Sequence, residues 1–321
     1  MNGALVISLD FELLWGVFDK VDWTKKVEYF NNTRNVIPEI LQLFEKYEIS
    51  CTWATVGMLF NEDWDEWNQN LPEILPDYEN NKLSAYHYGK SIQSKETEQL
   101  CFAPDLIRQI QDTPGQEIGT HTYSHYYCLE NGQGLSSFRA DMKQAKLLAK
   151  KLGIDLTSLV FPRNQFNKDY LEACVEIGLK TVRTNPEVWY WRNTQKDSLR
   201  QKIFRTADAY FGDNTKSYRD VSEILSGLTG QKASRFLRPH SGKKILDKSR
   251  IKRILSEMEH AAKNNKIYHL WWHPHNFGEN PTKSMEELEQ LLLHFQFCKN
   301  NFGFQSYSMQ DVFLKTTLSN D

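Results

Sequence analysis

Three things are scarce in this chain. Its 321 residues hold five cysteines, at 51, 101, 128, 174 and 298, with no CxxC pair among them. An odd, scattered set excludes a disulfide framework and a thiolate metal cluster, and reads as reduced, core-forming thiols. Charge of one sign is lacking too: 39 Lys and Arg stand against 41 Asp and Glu, a net charge of −2. That balance gives no nucleic-acid footprint and no patch for an anionic membrane. Long apolar runs are also missing, since no stretch nears the roughly 18 residues that a membrane span requires. The opening ALVISL is short, quickly followed by acids, and preceded by no basic region, so it reads as a strand and not as a signal peptide. A cytoplasmic protein without a membrane span is the expectation.

The sequence does contain a rhythm. Apolar, β-branched runs at 4–10, 49–56, 116–121, 156–162, 179–184, 233–239 and 266–272 alternate with helical patterns at 33–47, 136–153, 168–178, 248–265 and 284–300. Strand–helix alternation of this kind implies parallel strands, in an open doubly wound sheet or a closed barrel. Two stretches, 58–103 and 185–234, are aromatic, polar and weakly periodic, and read as elaborated loops on a single domain spanning 1–321.

Chemistry-bearing side chains gather at the C-terminal ends of three of these strands. SLDFE offers Asp10 and Glu12, which share a face of an extended chain. THTYSH offers His121 and His125, and LWWHPHNFG offers His273 and His275. Parallel α/β folds collect their sites at such ends, so segments far apart in sequence can meet there. Taken singly, each has a plain structural reading: a helix cap and first-turn acid for Asp10 and Glu12, surface or core histidines for the rest. Together, a carboxylate and two imidazoles form a common divalent-metal ligand set.

With SLDFE, HTYSH, VFPRNQF and YHLWWHPHNF in this order, the chain resembles the polysaccharide deacetylase family, also called the NodB-homology or carbohydrate esterase 4 domain. The likeness is to divergent members associated with bacterial surface-polysaccharide biosynthesis. It implies an α/β fold, a distorted seven-stranded (β/α) barrel with loop insertions. It implies a metal held by Glu12, His121 and His125, with Asp10 as catalytic base, the two acids being exchangeable. It implies Arg163 as the arginine orienting the base, with Arg238, near His240, as competitor. It implies His273 as general acid, with His275 in reserve, a role suited to imidazole because its ordinary pKa lies near neutrality. Trp272, His275 and Asn276 would contact substrate. The family's later acid, which tunes the general acid, has no counterpart here; its place falls near Asn185 or Trp189. The donor set suits Zn2+ first, with cobalt, nickel, iron and manganese open.

The implied reaction is hydrolysis of an N-acyl group, N-acetyl first, on an amino sugar. A cytoplasmic location points to a small amino-sugar-containing molecule or a nucleotide- or lipid-linked sugar. Trp189, Tyr190, Trp191 and Trp271 could also serve sugar faces. Three other functions compete: hydrolysis of another amide such as allantoin, which can proceed without a metal; formyl transfer or deformylation in sugar modification; and carbohydrate binding without catalysis.

Overall fold

The computed structural model describes residues 2–191, 198–211 and 216–317. Among them ten strands form one sheet: β1 (Ala4–Phe11), β2 (Cys51–Thr55), β3 (Gln116–Thr120), β4 (Ser158–Leu159), β5 (Thr181–Thr184), β6 (Ser222–Leu225), β7 (Leu228–Lys232), β8 (Arg235–Phe236), β9 (Ile267–Trp272) and β10 (Gln305–Tyr307). Their order is β6-β7-β5-β4-β3-β2-β1-β9-β8, with β10 beside β1. Every pair is parallel except β6 with β7.

The two ends of this sheet meet in one stretch of chain. β7 pairs with β5, β8 pairs with β9, and only Ala233 and Ser234 separate β7 from β8. The Ala233 N–H donates to the Thr184 carbonyl at 2.9 Å, and the Ser234 N–H to the His269 carbonyl at 2.8 Å. The sheet therefore curls into a distorted (β/α) barrel. With β7 and β8 counted as one position it has the seven positions expected, plus β6 and β10 as additions.

β1 explains why the barrel forms. ALVISLDF is buried at every residue, as expected of a parallel strand covered on both faces. Outside it, the helix Val27–Lys46 buries Phe30, Val36, Ile37, Ile40, Leu41 and Phe44. Each such side chain contributes roughly 1.5–3 kcal/mol before conformational entropy is charged against it. The helix begins six residues earlier than its clearest apolar stripe. The strand expected over 156–162 is only β4, because Pro162 is followed by positive φ at Arg163 (53°) and Asn164 (53°), which turns the chain out of the sheet.

Neither weakly periodic stretch is simply loop. Within 58–103, the helices Trp64–Gln69, Ala85–Ile92 and Lys95–Cys101 join the main core. Trp67 stacks on Trp15 with ring centroids 6.3 Å apart, and Trp64 meets Phe102 edge-on at 4.8 Å. None of its residues lines the cavity described below, so it braces the barrel. Within 185–234 lie the helix Leu199–Asp208 and strands β6 and β7; positions 192–197 and 212–215 of that stretch fall outside the described residues. All five cysteines are free and buried. No helix among the described residues is long and apolar enough to cross a membrane.

Candidate active site

The C-terminal ends of β1, β3 and β9 open on a cavity of about 250 Å³, lined among others by Asp10, Glu12, His121, His125, Trp271, His273 and Asn276. Strand alternation selects what faces it. On β1, Ser8 and Asp10 point the same way, with Glu12 following; on β9, His269 and Trp271 do so, with His273 following. Trp272, expected at the substrate, points the opposite way: it is fully buried and stacks on Phe277 with centroids 5.9 Å apart. Trp271 takes the cavity wall instead.

Asp10 is the most constrained group. Arg183 of β5 grips it in a two-pronged pair, Nη1 to Oδ1 at 2.6 Å and Nη2 to Oδ2 at 2.7 Å. Arg183 Nη1 also donates to Ser8 Oγ at 3.0 Å, so Ser8 turns its own proton to His269 Nε2 at 2.8 Å. The guanidinium lies 4.3 Å from the Trp271 ring centroid, a cation–π contact. Burial alone would raise the Asp10 pKa; the charge of Arg183 and its hydrogen bonds outweigh burial and hold it below the usual carboxylate value. Burial holds His269 down to about 3, so this ring is neutral.

The arginine beside Asp10 is thus neither of those expected. Arg163 pairs with Asp19 and stacks over Tyr127, 4.0 Å from the ring centroid, on the opposite wall. The positive φ that breaks the strand is what carries it there. Arg238 lies beyond Phe236, with Arg205 and Thr206 as its hydrogen-bond partners. His240 pairs with Glu287 at 2.9 Å in a network completed by Arg250.

Glu12, His121 and His125 converge. Their ligand atoms all lie within 4.8 Å of one another, and all three residues are buried. Glu12 Oε2 is 3.3 Å from His121 Nε2 and 3.2 Å from His125 Nε2. His121 Nδ1 lies 2.7 Å from the Val160 carbonyl. A carbonyl only accepts, so His121 Nδ1 donates to it and the ring is turned with Nε2 toward Glu12. His125 Nδ1 lies 3.2 Å from the Tyr127 hydroxyl, and burial pulls its pKa down to about 4. The two imidazole Nε2 atoms and Glu12 Oε2 thus face one another in a buried cluster, and Glu12 Oε2 has no well-formed hydrogen bond. The set fits a divalent cation.

The backbone around this set is fixed by residues that carry no metal-ligand signature. Thr122 and His125 have positive φ, 64° and 56°. Asp141 holds them: it accepts from the Tyr123 N–H at 2.6 Å, the Ser124 N–H at 3.1 Å, the Ser124 hydroxyl and the Tyr86 hydroxyl. A Cβ on Gly16 would fall 1.9 Å from the Glu12 carboxylate, so only glycine leaves room for that side chain.

His273 faces the cavity with its side chain 24% exposed, its Nε2 3.7 Å from Asp10 Oδ2. Its backbone N–H donates to Asn276 Oδ1 at 3.3 Å, and its Nδ1 lies 3.2 Å from the same oxygen. The amide orientation is thereby settled, and Nδ1 carries a proton. Asn276, expected at the substrate, lines the cavity as the partner of His273; Trp189 packs on Phe204, 5.0 Å between centroids. His275 is buried behind His273, stacked on it at 4.9 Å, and burial holds its pKa down to about 3.

Comparison with known proteins bears on the fold and the family. The structure is similar to that of a Mycobacterium smegmatis protein assigned to the polysaccharide deacetylases, 12% identical, with a TM-score of 0.60 over 100% of this chain and 92% of that one. It is similar to the allantoinase PuuE, 12% identical, TM-score 0.57, over 97% and 88%. It is also similar to 4-α-glucanotransferase from Thermococcus litoralis, 14% identical, TM-score 0.56, over 98% of this chain and 40% of that one. At such identities these likenesses show the fold, which serves more than one chemistry. No curated protein matches the sequence significantly. The model of the polysaccharide deacetylase family matches residues 14–182, more than half of the 321. That stretch includes His121 and His125 and stops short of Asp10, Glu12, Arg183 and His273 on either side. The chain belongs to the polysaccharide deacetylase family.

Proposed function

We infer that the protein hydrolyses an N-acyl group, N-acetyl in the first instance, from an amino sugar. The observation that carries this reading is that Asp10 and His273 lie side by side, 3.7 Å apart, in a cavity also lined by the Glu12, His121 and His125 set.

Glu12, His121 and His125 would hold a divalent cation, zinc being best suited to two imidazoles and one carboxylate. Bound there, the cation would supply an acidified water and a polarised acyl oxygen. Arg183 keeps Asp10 ionised and aimed, at the cost of weakening it as a base. Asp10 takes the proton of the attacking water, and the charge it loses leaves Arg183 free to draw on Ser8. His273 gives the Nε2 proton to the departing nitrogen and relaxes to its Nδ1–H form, which Asn276 holds. His275 is too buried to take part in that transfer and instead backs the His273 ring. Arg183 takes the orienting role, Trp271 the sugar-facing wall, and the cytoplasmic setting belongs to the same proposal.

The test is release of free acid by zinc- or cobalt-loaded protein from a panel of N-acetyl amino sugars, their N-formyl analogues and allantoin. Acetate release, lowered about 10²–10⁴-fold in Asp10→Asn, is the expected result. Formate release alone would change the acyl group. Turnover of allantoin alone would replace the sugar reading with a different amide hydrolase, and stoichiometric cation without any turnover would leave a carbohydrate-binding protein.

A further inference from the structure

Trp271 and Phe236 are walls with two sides. One side lines the catalytic cavity; the other lines a narrow cleft built from Arg205, Lys216, Arg235, Arg238 and Asp208. The carboxylates in this neighbourhood are already engaged. Glu257 takes both prongs of Arg235 at 2.6 Å and Arg253 at 3.2 Å, and Asp208 is shared by Lys216, Arg253 at 3.2 Å and Arg235 at 3.6 Å. Arg238 is left over. Its hydrogen bonds are long and to neutral groups, 3.4 Å to the Arg205 carbonyl and 3.5 Å to the Thr206 hydroxyl, with no carboxylate partner among the described residues. Burial, together with the like charges of Arg205 and Arg235, pulls its pKa below the usual arginine value. A half-buried guanidinium with long neutral contacts and two cationic neighbours is an arrangement that an anion would complete.

Its place relative to the chemistry is set by the strand. Phe236 sits 5.7 Å from the His273 ring and 4.6 Å from Trp271, centroid to centroid. Arg238 is two residues on and precedes Pro239, which keeps it extended. It therefore lies on the same side of the chain as Phe236, about 7 Å further along. Arg205 stacks over Trp191, 5.1 Å from the ring centroid, and closes the far side.

Building on the deacetylase reading, we propose that this cleft seats a phosphoryl group attached to the amino sugar, with Arg238 and Arg205 as its forks and Trp271 between it and the reacting amide. The substrate is then a glycosyl phosphate or diphosphate and not a neutral glycan. Guanidinium forks match phosphoryl oxygens two at a time, which a single sugar carboxylate would use less fully.

Three substrates of one N-acetylhexosamine separate the possibilities in zinc-loaded protein: its methyl glycoside, its 1-phosphate, and its nucleoside diphosphate ester. A polyprenyl diphosphate ester in detergent distinguishes a lipid source from a nucleotide. The phosphorylated forms should show KM at least about tenfold below the glycoside, and Arg238→Gln should raise that KM by about tenfold or more while leaving kcat and the glycoside unchanged. Equal kinetics for neutral and phosphorylated sugars, or an equal loss on both in Arg238→Gln, overturns the proposal. Calorimetric binding of pyrophosphate to wild type and to Arg238→Gln keeps the cleft separate from the reaction. Binding that needs Arg238, with no sugar turned over, retains the cleft and sinks the deacetylase reading. Turnover with no pyrophosphate binding does the reverse. A thermal melt of Arg238→Gln matching wild type shows that the variant is folded.

Discussion

The two halves of the cavity bury polar groups in opposite ways. On the β1, β5 and β9 side, hydrogen bonds run in one direction, from Arg183 to Asp10 and from Arg183 through Ser8 to His269. Charge is balanced within the protein. On the β1 and β3 side, Glu12, His121 and His125 turn Oε2 and two Nε2 atoms toward one point, and Glu12 Oε2 is left without a well-formed hydrogen bond. No arginine or lysine pairs with Glu12 there among the described residues. Burial of polar atoms is common to both halves, and it is the missing donor, not the burial, that distinguishes a ligand site from structural scaffolding.

The strongest way to break this contrast is Arg183→Met. If Asp10 depends on an internal partner, the loss leaves a buried carboxylate unanswered and costs about 3–5 kcal/mol. Chemical denaturation of the cation-free protein measures it, and a cost under about 1 kcal/mol would place Arg183 among ordinary surface pairs. Next in size is the cation itself. At a free zinc concentration 100 times its Kd, wild type should gain about 2.7 kcal/mol, read as a rise in Tm. His121→Ala should lose that gain, while Arg183→Met keeps it. A gain that survives in His121→Ala would move the cation elsewhere. The smallest effect, per unit of the variable changed, is in pH. His269 is held down to about 3 when folded, so as pH falls below about 6.5 the unfolded chain takes a proton that the folded one refuses. Stability drops in that direction. His269→Asn should lessen the drop between pH 6 and pH 4 by about 1.4 kcal/mol per pH unit, measured by urea denaturation at each pH. An unchanged slope would mean that His269 is already charged.

The contrast also tracks what could be read from sequence. The donor set is legible because His121 and His125 sit four apart at a strand end and Glu12 shares an alternation with Asp10. The same alternation, carried one step in each direction, finds Ser8 and prefers Trp271 to Trp272. Arg183 was not legible. It lies in LKTVRT, where an arginine on a short strand looks like any surface charge, and its partner is 173 positions away. Arg163 had the better local context, but positive φ after Pro162 is invisible in composition. Asp141 and Gly16 were missed for a related reason: each acts through a contact that only the folded chain makes. The α/β class with parallel strands followed from strand–helix rhythm, and the barrel from the family resemblance. β6, β7 and β10 did not, because four or five residues, or three, leave too short a period to recognise.

The run from β7 to β8, which joins the two ends of the sheet, has a consequence for the order in which this site is born. Glu12, His121 and His125 themselves, with Asp141 and the Val160 carbonyl that brace the two histidines, lie in the first half of the chain, although His273 and His275 later approach Glu12 Oε1 at 3.8 and 3.6 Å. Asp10 has no such autonomy. It must wait for β5 to bring Arg183, for β9 to bring His273, and for the 228–236 segment to hold those strands in one ring. Synthesis proceeds from the N-terminus and local contacts close first. In a growing chain the residues of the Glu12, His121 and His125 cluster are therefore all present well before Arg183 and His273 can join Asp10, whose surroundings are complete only when the ring is closed.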